Sequence, residues 1–189
     1  MPPAGPSTPS PVPRKILIIG TPGSGKTTLA TVLSRDTGFP YTSIDECRIC
    51  YSDGTVAGEE RAWDHFLVEC RRPVPEILEF SGMGPHVEEV RDNLLLSKIP
   101  VLVIWLVLPH NTCIGRARKR KKEIPYPFPW APLEYSLPLI EDGIDIAWGI
   151  IWDTEPDFRA VRQEFSGTSS VDEMFSAIKK IVNRDGGYR

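Results

Sequence analysis

The sequence predicts an α/β fold in which a five-stranded parallel sheet is flanked by helices. Three observations carry this expectation. Short β-branched apolar runs alternate along the chain with segments of helical periodicity. The first such run leads straight into a glycine-rich loop and then a helical pattern. The most apolar run, residues 101–107, shows no polar alternation, as a strand buried on both faces requires. At 189 residues the chain is long enough for one domain of this class with a real core.

Residues 15–19 form a short apolar run ending at Gly20 and read as a buried strand. Residues 26–36 read as a helix with Gly38 just beyond its end. Residues 40–44 are a second short strand. Residues 58–71 are helical, since Ala62, Phe66 and Cys70 recur on one side, and Pro73 stops the helix. Residues 76–80 make a third strand, closed by Ser81-Gly82-Met83-Gly84. A helix over 87–97 ends before Pro100, and 101–107 is the fourth and expected central strand. Residues 111–122 read as a very basic helix. From 123 to 157 the pattern changes to Pro125, Pro127, Pro129, Pro132, Pro138 and Pro156, interleaved with Tyr126, Phe128, Trp130, Tyr135, Trp148 and Trp152. This segment is expected to be a long functional loop, and its aromatic content argues against disorder. A last strand over 158–165 and a helix from Ser169 or Ser170 to about 182 complete the chain, with Met174, Ile178 and Ile181 on one face. The expected organisation is a disordered Pro-rich tail over 1–13 and a single domain over 14–189, with a lid or insert at about 123–157.

A composition of 41% hydrophobic and 25% charged residues is that of a globular protein. The net charge of −3 argues against a dedicated nucleic-acid binder. No apolar run approaches the ~20 residues that span a membrane, and the N-terminus lacks the basic start and apolar stretch of a secretion signal. The expected location is cytoplasmic, without a membrane partner. The four cysteines are then expected as thiols. Cys47 and Cys50 form a C-x-x-C, but a structural zinc site wants four ligands and no second pair is present.

Gly20-Thr-Pro-Gly-Ser-Gly25-Lys26-Thr27 matches G-x-x-x-x-G-K-[ST], with the required strand before it and helix after it. The glycines let the backbone wrap around phosphate, and the following helix presents its positive end to the same anion. Residues Gly20, Thr21, Pro22, Gly23, Ser24, Gly25, Lys26, Thr27 and Thr28 are therefore expected to hold a nucleoside triphosphate. Lys26 reaches the β- and γ-phosphates and the Thr27 hydroxyl binds Mg²⁺. The sheet becomes a P-loop NTPase-type sheet, and the cofactors expected are ATP and Mg²⁺. No Asn/Thr-Lys-x-Asp guanine-reading element occurs. Of the two Asp-Glu pairs, Asp172-Glu173 lies in the terminal helix and Asp45-Glu46 follows a short strand.

Beyond the loop, three further features are Ser43-Ile-Asp45-Glu-Cys-Arg48, Ser81-Gly82-Met83-Gly84 and Arg116-Ala-Arg-Lys-Arg120. With them the chain resembles the small P-loop kinases, the nucleoside-monophosphate, shikimate and gluconate kinase group, over residues 15–120 and again in the last helix. The resemblance implies an acidic residue near the acceptor hydroxyl (Asp45), a glycine turn against the acceptor (Gly82, Met83, Gly84) and lid arginines on the transferred phosphate (Arg116, Arg120). Where shikimate kinases carry a paired Asp-x-Asp, Ser43 stands in the first position here.

Phosphoryl transfer needs alignment and cations more than covalent help from the protein. Lys26, Mg²⁺ and Arg116 or Arg120 would supply the cations; the alternative for this basic run is a solvated face. Asp45 would accept or orient the acceptor's proton, or bind Mg²⁺ through water, or merely cap a helix. Glu79 is either a second metal-side group or an ordinary strand-end charge. Arg48 and Arg61 bind an anionic acceptor or form surface ion pairs. The expected function is transfer of the γ-phosphoryl group of ATP to a small-molecule or nucleotide acceptor. The alternatives are a polynucleotide end kinase and a nucleotide-binding regulatory protein with little turnover.

Overall fold

The protein, seen in a computed structural model, is described over residues 15–119, 123–129 and 131–183. The tail expected over 1–13, and Arg120 with its expected role, lie outside the described residues.

Five strands, β1 (Lys15–Gly20), β2 (Tyr41–Ser43), β3 (Glu76–Glu79), β4 (Val101–Val107) and β5 (Phe158–Glu164), form one sheet in the order β2-β3-β1-β4-β5. Every pairing is parallel. The middle strand is β1, not β4 as expected from apolarity. β1 pairs through Ile18 with Glu79 on one side and Ile104 on the other. Being flanked on both edges and both faces, it is wholly buried.

Among the described residues seven α-helices cover the faces: α1 (Lys26–Thr37), α2 (Ile44–Tyr51), α3 (Val56–Arg71), α4 (Val87–Leu96), α5 (His110–Arg118), α6 (Leu133–Ala147) and α7 (Val171–Asn183). Alternate strand residues feed two core layers. Leu17, Ile19, Leu78, Val103 and Trp105 pack with α3, α4 and Trp152 on one face. Ile16, Ile18, Ile77, Leu102 and Ile104 pack with α1 and α7 on the other. The ends are capped as local chemistry predicts. Thr55 accepts from the Gly58 amide at 3.0 Å. At α7, Ser170 Oγ accepts from the Glu173 amide at 3.2 Å while Glu173 returns a bond to the Ser170 amide at 2.8 Å, a reciprocal capping box.

One element was not expected, and two further expectations are corrected. A helix, α2, follows β2 directly, because Ser43 is an N-cap whose hydroxyl accepts from the Glu46 amide at 3.1 Å. The basic helix stops at Arg118, with Lys119 already in a turn. The segment expected as a long loop is mostly helical: α6 runs into a π-helical turn at Trp148–Trp152. The prolines misled, since Pro132 sits at the N-cap and Pro138 is accommodated inside α6. The helix is held by burial instead: Leu137 joins one core layer and Ile144 and Ala147 the other.

One buried charge pair closes the sheet's lower end. Lys15 and Glu76 are 0% and 1% exposed, and Lys15 Nζ lies 3.2 Å from Glu76 Oε2. Nζ also donates to the Glu69 carbonyl at 2.7 Å, and Thr42 donates to Glu76 at 2.8 Å. Burial pulls the ammonium pKa down against the opposing pull of Glu76, and pushes the Glu76 carboxyl up. Lys15→Met is expected to destabilise the fold by ~3–5 kcal/mol, because it strands a buried carboxylate. Adding Glu76→Leu is expected to recover most of that loss, and urea unfolding curves of the two variants check both statements.

Candidate active site

The C-terminal ends of β1, β2, β3 and β4 open on one side of the sheet, where ligands of such folds bind. The loop from Gly20 to Thr27 leaves β1 there and enters α1. Gly23 has φ +80°, and a Cβ on it would lie 2.1 Å from the Cys113 carbonyl oxygen, so α5 sets the loop's curvature. Thr21 Oγ1 donates toward Cys113 Sγ at 3.6 Å in the same contact. No side chain caps α1, so its first amides remain directed at the loop. A cavity of about 390 Å³ lies against Gly23, Gly25, Lys26, Thr27 and Thr28, walled by Arg116 and Met174. Arg116 donates to the Ser169 carbonyl at 3.3 Å, and its Nη1 would lie 3.8 Å from a Cβ on Gly25. The structure therefore brings Arg116 to the loop. Arg118 instead pairs with Glu134 on the surface.

Glu79, at the end of β3, faces the start of α1. Its Oε1 accepts from Thr27 Oγ1 at 3.1 Å and lies 4.0 Å from Lys26 Nζ, which also donates to the Thr21 carbonyl at 3.0 Å. Its Oε2 accepts from the Tyr41 hydroxyl. Burial, and then the Glu79 charge, hold the Tyr41 phenol far above its ordinary pKa, so it stays a donor. Glu79 is thus a buried, oriented carboxylate rather than a loose strand-end charge. The Thr27 hydroxyl and Glu79 carboxylate are hard oxygen donors, the set that suits Mg²⁺ beside phosphate oxygens. Among the described residues no group of three or more His, Cys, Asp or Glu is gathered to hold a metal alone. Cys47 is buried and Cys50 exposed.

A second, larger cleft of about 780 Å³ meets the first at Lys26 and Ala117. It runs past Ser43, Asp45, Arg48, Glu59, Met83, Gly84 and His86 to Tyr126 and Phe128. Asp45 lies in the first turn of α2, and Ser43 rather than Asp45 is the cap. Asp45 Oδ1 accepts from Arg48 Nη1 and from the Tyr126 hydroxyl, each at 3.1 Å. Arg48 is gripped on its other edge by Glu59 at 2.5–3.1 Å, and Trp63 Nε1 donates to the same carboxylate at 2.9 Å. Burial raises the Glu59 pKa, but the Arg48 hydrogen bonds and charge outweigh it, leaving the carboxyl below its usual range. Arg61, by contrast, forms an exposed pair with Asp53 at 3.2 Å.

The Ser81–Gly84 turn is held from two sides. Gly82 has φ +96°, and a Cβ there would strike Ile19 at 2.7 Å. The Gly82 carbonyl accepts from Trp152 Nε1 at 2.9 Å. Met83 packs against Gly143 of α6, where a Cβ would lie 2.5 Å from its Cε. Sequence reasoning missed Tyr41, Glu59, Trp63, Trp152 and the Tyr126–Asp45 contact. The period-two placement of Tyr41 relative to Ser43 was a usable signal for the first, since Ser43 pairs with Glu79. The others come from elements far apart in sequence and had none.

The AAA_18 family model, an AAA domain, matches residues 16–126. A protein of Thermococcus onnurineus (strain NA1) that bears an adenylate kinase name is 32% identical over 106 residues, 56% of this chain and 54% of that one. The chain thus spans about half the length of the curated relative it matches. Among solved structures, a shikimate kinase from Acinetobacter baumannii in complex with shikimate superposes with a TM-score of 0.66 at 16% identity, over 94% of this chain and 96% of that one. A gluconokinase from Sinorhizobium meliloti 1021 gives 0.58 at 14% identity, over 92% and 94%. At these identities the likeness is one of fold. No helix among the described residues is long and apolar enough to cross a membrane.

Two outcomes test this geometry. Gly23→Ala is expected to weaken nucleotide binding at least ~10-fold, since φ +80° strains any side chain by ~1–3 kcal/mol and the added carbon meets backbone; titration of ATP analogues measures it. Glu59 has a lowered pKa in the fold, so its stabilisation is present above the ordinary carboxylate range and is lost as pH falls through the lowered value. Glu59→Gln is expected to flatten that acid limb of a Tm-against-pH profile.

Proposed function

The chain belongs to the AAA_18 family, and we propose that it is a Mg²⁺-ATP-dependent kinase that moves the γ-phosphoryl group to a hydroxyl acceptor. The observation that carries the reading is that the phosphate loop and Asp45 line one continuous cleft, joined at Lys26. The nucleotide's phosphates would rest on the loop amides and the start of α1, with Lys26 on the β- and γ-oxygens. Thr27 and Glu79 would hold Mg²⁺, which when bound offsets charge on the phosphate oxygens. Arg116 stands at the phosphate side of the loop, where it can neutralise charge spread over the transferring group.

The acceptor would enter by the larger cleft, beside the Ser81–Gly84 turn. Its oxygen forms the new bond to the γ-phosphorus as the bond to the ADP oxygen breaks, and its proton passes to the Asp45 carboxylate. Arg48 and the Tyr126 hydroxyl fix which way that carboxylate points. Such positioning is where most of the rate comes from when the protein supplies no covalent chemistry. Trp152, through the Gly82 carbonyl, keeps the acceptor turn in place.

ADP release with Mg²⁺-ATP is to be measured against nucleoside monophosphates, hydroxy acids, sugars and short oligonucleotides, with Lys26→Ala beside the wild type. Acceptor-stimulated release that depends on Lys26 is the expected result. Asp45→Asn is expected to keep nucleotide affinity near normal and to cut turnover at least ~100-fold, the scale of a lost acid/base group. Unchanged turnover would remove Asp45 from the mechanism, and tight ATP binding without any stimulated release would favour a regulatory nucleotide binder.

A further inference from the structure

We infer that Tyr41 is a positioning residue that gives the nucleotide site its preference for Mg²⁺ over Ca²⁺, by holding one oxygen of Glu79 so that the other alone faces the phosphate loop. The inference rests on the proposed function only in taking Thr27 and Glu79 as the metal side of the nucleotide site, and it does not depend on the acceptor.

The backbone sets the contact. β2 is a three-residue edge strand, and its register with β3 places Ser43 opposite Glu79 and Tyr41 opposite Ile77. Alternation puts Tyr41 and Ser43 on one face of the sheet, so Tyr41 is a diagonal neighbour of Glu79, a separation that an aromatic side chain spans. The ring packs against the core layer of Ile16, Ile18 and Ile77. That packing fixes the ring, and the hydroxyl at its far end meets Glu79.

The two oxygens of Glu79 are thereby given different surroundings. Oε2 accepts from the Tyr41 hydroxyl. Oε1 turns to the loop, where it accepts from Thr27 Oγ1 at 3.1 Å and lies 4.0 Å from Lys26 Nζ. The Glu79 side chain is only 6% exposed, so its orientation is set by these partners rather than by solvent. A phenol is a neutral donor, unlike a lysine, so Tyr41 fixes the carboxylate and leaves its charge for a cation.

The two common divalent ions differ in what they ask of such a group. Mg²⁺ demands near-octahedral geometry, keeps several waters and takes few carboxylate oxygens beside phosphate. Ca²⁺ takes roughly six to eight oxygens and often both oxygens of one carboxylate. With Oε2 held by Tyr41, Glu79 presents a single oxygen, which serves the first ion better than the second. Partners that orient a ligating group in this way shift metal affinity by about 10–100-fold. The alternative is a core tyrosine that has simply found an acceptor for its hydroxyl. Loss of such a hydroxyl would disturb packing and leave the choice of metal alone.

The test measures binding without turnover. Calorimetry on the full chain titrates a non-hydrolysable ATP analogue with chelator alone, with saturating Mg²⁺ and with saturating Ca²⁺. The quantity read is the ratio of the Ca²⁺ to the Mg²⁺ dissociation constant. The wild type is expected to favour Mg²⁺, and Tyr41→Phe is expected to lower the ratio about 10-fold with metal-free affinity unmoved. A merely structural Tyr41 would weaken all three titrations together. In a Glu79→Gln background, Tyr41→Phe is expected to change the ratio no further. A ratio unmoved by Tyr41→Phe overturns the inference, as does one moved equally in the Glu79→Gln background, or a wild type indifferent to the metal. If Tyr41→Phe does not fold, Glu79→Gln decides: a lost preference for Mg²⁺ supports the inference and a preserved one overturns it. A lowered ratio in a protein without acceptor-stimulated ADP release would sink the kinase reading and leave this one; stimulated release with an unmoved ratio would do the reverse.

Discussion

The register of β1 between β3 and β4 is the constraint on which the rest of the molecule depends. Because all three strands run parallel and in step, the loop after Gly20, the carboxylate of Glu79 and the entry to α5 emerge at one level. Slipping either pairing by one residue would turn the apolar set of β1 to the wrong layer and carry Glu79 away from Thr27. The sheet's alternation thus does two things together. It divides the core into two layers, and it sets the phosphate loop against the groups that complete it.

Much of this was legible in the sequence. The five strands and most helices follow from apolar runs and their stops, and the phosphate loop follows from glycine spacing that only one kind of anion cradle requires. Asp45 and Arg116 were expected from the resemblance to small P-loop kinases, and the structure places Asp45 in the larger cleft and Arg116 beside the phosphate loop. What stayed hidden depends on contacts between elements that sequence spacing does not encode. Arg48 was open to an anionic acceptor or an ion pair, and the partner that decides, Glu59, reaches it from a different helix. The prolines of 123–157 suggested a loop, but tertiary burial of Leu137, Ile144 and Trp152 overrode local propensity and made most of it helix.

The two cavities differ in their electrostatic character. On one side, loop amides, a helix terminus, Lys26 and Arg116 gather positive potential. On the other side, Asp45 and Glu59 hold Arg48 between them. Lys26 lines both cavities.

The start of α7 has a consequence for how the protein comes into being. Ser169 receives Arg116, and Met174 stands 3.5 Å from where a side chain on Gly25 would begin. Within this chain the phosphate loop is synthesised well before the wall that faces it. The pocket at the loop is walled only once α7 has been synthesised. Until β5 is made, the edge of β4 that it pairs with is open.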